Sequence, residues 1–225
     1  MIELPPPVKL REIAGRLLAS DEGHTYRTRR GEPEYIEALQ TMLAKAYRTT
    51  VPQKALLATS GVTGALFASL QMAHGRGVKR IGVTNPFYTY HGKHIELTTG
   101  HKPVFVQLDH QGDTFDFDWD SLEKQLKEGM GAIIVCNPGN PSGKVGRERC
   151  AVFFFFFSLS LQVYSREVLS KLAEATGRHN CFLIMDEIYA DLVWKGNEFY
   201  SPVQDTLHKH VIACRGFSKN VACQR

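Results

Sequence analysis

Four places in this 225-residue sequence join turn residues to groups able to do chemistry. Asn137-Pro138-Gly139-Asn140-Pro141-Ser142-Gly143 follows a short apolar run, and each proline restricts the residue before it to extended or turn conformations. That holds Asn140 in a fixed pose, where its amide can both donate and accept hydrogen bonds. Asp186-Glu187-Ile188-Tyr189 follows a second apolar run, so a carboxylate there must find a partner or raise its pKa. Tyr189 brings a phenol to the same place. Arg215-Gly216-Phe217-Ser218-Lys219 follows a third run, and an amine delivered beside an acid and a phenol can form a Schiff base with a carbonyl. Ser60-Gly61-Val62-Thr63-Gly64 opens a helical pattern, and the unpaired backbone N–H groups of a helix start suit a phosphate. Taken singly, each segment also reads as a surface turn or a helix cap.

The elements that must position these groups are short. β-rich runs at Arg80–Thr84, Val104–Leu108, Ala132–Cys136, Cys181–Met185 and Val211–Cys214 each end in polar or turn residues. Helical spacing of apolar residues predicts helices over residues 8–19, over Ile36–Arg48, from Ser60, from Ser121 and from Ser165, with Ser165 as an N-cap. Strands alternating with helices predict an α/β fold, a three-layer sandwich about a mostly parallel sheet. Ligands in such sheets sit beyond the carboxyl ends of the strands, where three of the four segments fall, and the fourth opens a helix.

Bulk composition narrows the function classes. The net charge is +4, from 27 Lys/Arg against 23 Asp/Glu spread along the chain, and no basic stripe argues for nucleic acid. The five cysteines have no paired metal-ligand spacing and fit a reducing compartment. No apolar segment approaches the roughly 20 residues that cross a bilayer, and the N-terminus lacks a secretory pattern. The expectation is a cytoplasmic location with no membrane partner.

Taken in order, NPGNPSG, DEIY and FSKN make the sequence from about Leu10 to Arg225 resemble the large domain of fold-type I pyridoxal-phosphate enzymes, and in particular the class I/II aminotransferases. The resemblance implies an enzyme that transfers an amino group from an amino acid to a 2-oxo acid, with pyridoxal 5'-phosphate as cofactor. It implies that Lys219 holds the cofactor covalently and later acts as the base at the substrate Cα. Asp186 is similar to the carboxylate that pairs with the pyridinium nitrogen, and Tyr189 and Asn140 match the pair that hydrogen-bonds the phenolic oxygen. Tyr88 stands where the family stacks an aromatic on the ring, and Ser60, Gly61 and Val62 resemble its phosphate cradle. Tyr26 resembles the tyrosine that reaches the phosphate of a neighbouring subunit, which implies a homodimer. A lyase or synthase of the same family shares these motifs. A non-catalytic remnant of such an enzyme and a phosphate-binding domain of an unrelated α/β class are the other readings.

The sequence also departs from the pattern. Gly216 stands where the family usually has a serine. The family's phosphate arginine would fall beyond Arg225, the carboxylate-gripping arginine belongs to a small C-terminal domain that this sequence does not reach, and the N-terminal Gly-x-Pro element is absent. The expected organisation is an N-terminal helical segment, 1–25, and an incomplete cofactor-binding large domain, 26–225, with little transaminase turnover from the chain as written. Five consecutive phenylalanines, Phe153–Phe157, lie in a stretch, Val145–Gln162, whose removal joins Lys144 to Val163 in an uninterrupted family match. Its valine start, glutamine end and Phe/Ser/Leu composition fit an unspliced intron, and a hydrophobic insertion that docks a partner is the alternative.

Overall fold

The computed structural model describes residues 5–21, 28–111, 114–139, 163–193, 198–205 and 208–219. The expected insertion at 145–162 lies outside them. Helices α1 (Val8–Leu18), α2 (Pro33–Tyr47) and α3 (Gly61–Gly75) precede the first strand. Then come β1 (Ile81–Asn85), α4 (Thr89–Thr99), β2 (Val104–Gln111), β3 (Thr114–Phe117), α5 (Trp119–Lys127), β4 (Ala132–Cys136), α6 (Arg166–Arg178), β5 (Phe182–Asp186) and β6 (Val211–Cys214). Three-residue 3₁₀ turns occur at Gln53–Ala55, Ala190–Leu192 and Pro202–Gln204.

The six strands form one sheet in the order β3-β2-β1-β4-β5-β6. All neighbours are parallel except β2 and β3. The alternation of side chains along a strand divides the core between the two faces of the sheet. Ile133, Val135, Leu183 and Met185 pack with Leu122 and Leu126 of α5 and Leu169 and Leu172 of α6. Ala132, Ile134 and Ile184 pack on the other face with Leu66 and Leu70 of α3 and Ile95 of α4. The result is the expected three-layer sandwich. On β1, Ile81 and Val83 serve the α3/α4 face, while a Cβ on Gly82 would lie 2.3 Å from the Met130 sulfur, so the methionine fills the space a side chain there would need.

Helix starts follow local rules where the sequence supplies them. The Ser165 side chain accepts from the Val168 N–H at 3.3 Å, and Asp118 caps α5 by accepting from the Ser121 N–H at 2.9 Å. Two elements escape the sequence patterns: α4, which carries no clear apolar stripe, and the four-residue β3. β1 and β5 each begin and end one residue later than expected, which makes Asp186 the last residue of β5. α1 buries none of its residues. No described helix is long and apolar enough to cross a membrane.

Register then decides where the functional segments emerge. Cys136 of β4 pairs with Asp186 of β5, which pairs with Cys214 of β6, so the three segments that follow leave the sheet at one level. Leu183 is fully buried on β5, at the centre of this frame. Leu183→Ala is expected to cost about 2–5 kcal/mol of stability, read in urea as a lower midpoint at an unchanged slope.

Candidate functional site

The last carboxylate of β5 is the most constrained group at this edge. Asp186 is buried, and its Oδ2 accepts a hydrogen bond of 2.9 Å from Nε2 of His91, itself buried in the first turn of α4. Its Oδ1 accepts from the Ile188 N–H at 3.2 Å. His91 stands edge-on to the ring of Tyr88, the N-cap residue of α4, with 5.4 Å between centroids. Burial pushes the Tyr88 phenol above its ordinary value, and Tyr90, Asp186 and Cys136 add in the same direction. Burial, and then His91, hold the His94 imidazole below its usual value.

α3 starts nearby with the chemistry of an anion site. Ser60 is its N-cap and makes no side-chain capping bond, so the first-turn amides are left to other partners. Gly61 adopts φ +66°, a left-handed conformation that favours glycine, and a Cβ there would meet no atom within 4 Å. The segment after β6 comes close to the same turn. A Cβ on Gly216 would lie 3.0 Å from Cγ2 of Val62 and 3.1 Å from Cδ1 of Ile188. The glycine that departs from the family pattern thus lets the backbone leading to Lys219 sit against the first turn of α3.

These groups share one cavity of about 1130 Å³. Ser60, Gly61 and Val62 line it from α3, Tyr88 from the start of α4, Asp186 and Tyr189 from the end of β5, and exposed Lys219 from the segment after β6. The cavity continues along β6 towards α2. Seven of the nine site residues expected from sequence therefore line one cavity. The other two, Asn140 and Tyr26, lie outside the described residues. Among the described residues no cluster of His, Cys, Asp or Glu could hold a metal ion.

Sequence reasoning missed two parts of this site. His91 lies three residues after Tyr88, a helical spacing that becomes visible only once α4 is recognised. Glu187 next to Asp186 is buried, and its carboxylate accepts hydrogen bonds from the Tyr47 hydroxyl at 2.6 Å and from the Ser201 hydroxyl. Burial pushes its carboxyl up to about 7, against the opposing pull of Ser201, Tyr47 and Arg215.

The donor set fits pyridoxal phosphate. A helix start is available for a phosphate, a buried carboxylate for a ring cation, aromatic and phenolic groups for the ring and its oxygen, and an amine for an aldehyde carbonyl. Comparison with known proteins agrees. The family described as "Aminotransferase class I and II" matches residues 3–149 and 162–225, and the break falls within Val145–Gln162. Kynurenine–oxoglutarate transaminase 3 of Homo sapiens is 27% identical over 205 residues, covering 87% of this chain and 41% of that protein. The chain thus spans well under half the length of that relative. The structure of N-succinyldiaminopimelate aminotransferase from Mycobacterium tuberculosis superposes with a TM-score of 0.80 at 21% identity, over 98% of this chain and 53% of that one. Cystalysin from Treponema denticola, solved with pyridoxal 5'-phosphate, superposes with a TM-score of 0.75 at 20% identity, over 98% of this chain and 51% of that one. Likeness at these identities concerns the fold.

His91 is expected to matter before any cofactor is considered, because it partners a buried carboxylate. His91→Leu should lower stability by about 1.5–3 kcal/mol, the range for a hydrogen bond to a charged group, measured by urea unfolding of the 225-residue chain without cofactor.

Proposed function

The chain belongs to the class I and II aminotransferases, a family that works with pyridoxal phosphate, and from that premise we propose that it serves the transfer of an amino group from an amino acid to a 2-oxo acid. One observation carries the reading: Ser60–Val62, Tyr88, Asp186, Tyr189 and Lys219, drawn from four separate segments, line a single cavity at the carboxyl edge of the parallel sheet.

When bound, the cofactor supplies a pyridinium ring that accepts the electrons released as a bond at the substrate Cα breaks. The chain's residues divide the remaining work. The α3 start, with Ser60, Gly61 and Val62, holds the phosphate through amides and the positive end of the helix dipole. Asp186 keeps the ring nitrogen protonated, and His91 and the Ile188 amide hold its carboxylate in place. Tyr88 would lie against the ring, and Tyr189, with Asn140, would hold its phenolic oxygen. Lys219 would hold the cofactor through its Nζ and would be the base for the proton at the substrate Cα. The homodimer implied by Tyr26 and a cytoplasmic location complete the proposal. The alternative is a lyase of the same fold, which the PLP-bound C-S lyase from Staphylococcus hominis also has. Pyruvate released from an amino acid without a 2-oxo acid acceptor would favour it.

The test is covalent. After loading with pyridoxal phosphate, borohydride trapping and peptide mapping should place the label on Lys219, and Lys219→Ala should abolish it. Label spread over surface lysines and unchanged in Lys219→Ala would refute the assignment.

A further inference from the structure

Glu187 does not line the cavity, yet it joins the elements that do. Its carboxylate takes Tyr47 from the last turn of α2 and Ser201 from the start of the Pro202–Gln204 turn. Its backbone N–H donates to the Cys214 carbonyl at 2.9 Å, which fastens the end of β5 to the end of β6. The Ser201 turn closes the circle. Gln204 donates to the Tyr47 carbonyl at 3.0 Å, and the Asn137 amide donates to the Tyr200 carbonyl at 3.1 Å, which brings in the loop after β4. Arg215, first residue after β6, lies over the Tyr47 ring at 5.5 Å and pairs with Asp191, while its buried Nη1 has no hydrogen-bond partner among the described residues.

We propose that Glu187 is a positioning residue whose carboxylate clamps the end of α2 and the Ser201 turn to the segment after β5, beside the cavity, and whose protonation loosens that clamp, coupling cofactor affinity to a proton held outside the site. The inference rests on the cofactor reading given above. Both hydroxyls donate to the carboxylate, one to each oxygen, so a proton on Glu187 removes the charge that strengthens both bonds and takes up part of the acceptor capacity they use. The ionisable groups facing Glu187 are Tyr47 from α2, Asp186 on its own strand, and Cys214 and Arg215 from the end of β6, with Asp191 sharing the guanidinium. A pyridinium beside Asp186 adds positive charge and favours the ionised Glu187, so cofactor binding and ionisation of Glu187 promote each other.

The signs of the two pH effects differ. The folded carboxyl titrates at about 7 against an ordinary 4.5, so the folded chain holds more protons than the unfolded chain between these values. Its contribution to stability therefore falls as pH rises through this window and is lost above about 7. Cofactor affinity moves the other way and improves as the carboxyl ionises. A group that costs stability near neutral pH beside a cavity fits a functional role.

The experiment compares the 225-residue chain with Glu187→Gln, Ser201→Ala and the double variant at pH 5 to 8. Melting of the cofactor-free proteins is read first, and pyridoxal phosphate titration followed by absorbance second. Relative to Glu187→Gln, the unsubstituted chain should lose melting temperature as pH rises. Its dissociation constant should rise about fivefold more than that of the variant on going from pH 8 to pH 6, as follows from a displacement of about one pKa unit on binding. Ser201→Ala removes a donor to the carboxylate, so its midpoint should move to higher pH, and the double variant should be flat. Melting differences that stay constant with pH overturn the proposal, as do parallel binding profiles in chains that bind. Should the unsubstituted chain bind no cofactor at any pH, the cofactor reading fails and the coupling with it, whereas the melting curves still report whether Glu187 titrates.

Discussion

The structure turns on burial of the central strands on both faces. β4 and β5 are covered by α3 and α4 on one side and α5 and α6 on the other, so apolar side chains occupy both faces along most of their length. Polar groups can then appear only where the strands run out. The parallel register puts those ends level, with Cys136, Asp186 and Cys214 side by side. Every sequence-expected group that lines the cavity lies at one of these ends, in the segment that follows one, or at a helix start. Ligand chemistry thus follows from sheet geometry, because the interior admits no carboxylate or amine earlier in the strands.

Asp186 and Glu187 show how neighbouring carboxylates acquire different tasks. One lines the cavity, held by an imidazole and a backbone amide, and is left to face a ring nitrogen. The other points into a buried pocket between α2, β6 and the Ser201 turn, where hydroxyl donors meet it. Alternation along the chain separates the two side chains, so the pair DE serves two sites at once. The deep burial of Glu187 is costly, and the hydroxyls and Arg215 offset only part of that cost, which leaves its carboxyl poised near neutrality.

Much of this was legible in the residues. The apolar runs at β4 and β6 have the boundaries expected, and the turn-rich segments after β5 and β6 meet at the cavity with Ser60–Val62 and Tyr88. β5 was off by one because Cys181 is as apolar as a strand residue, although its backbone lies just before the strand. α4 was unread because Gly92 and its polar and β-branched residues obscure the helical period, and His91 was lost with it. The Glu187 clamp was beyond reach for another reason. Its partner Tyr47 is 140 residues away in sequence, and no local pattern announces a contact made by tertiary packing. Gly216, which stands where the family usually has a serine, has a packing reason in its approach to Val62 and Ile188.

The central claim is that the strand ends and the α3 start form one receptor for pyridoxal phosphate. A crystal structure of the 225-residue chain grown with the cofactor tests it most directly. The account predicts the ring nitrogen within hydrogen-bond reach of an Asp186 carboxylate oxygen and the phosphate on the first turn of α3, at Ser60–Val62. A cofactor bound with its ring nitrogen away from Asp186, or with its phosphate held elsewhere, would contradict it.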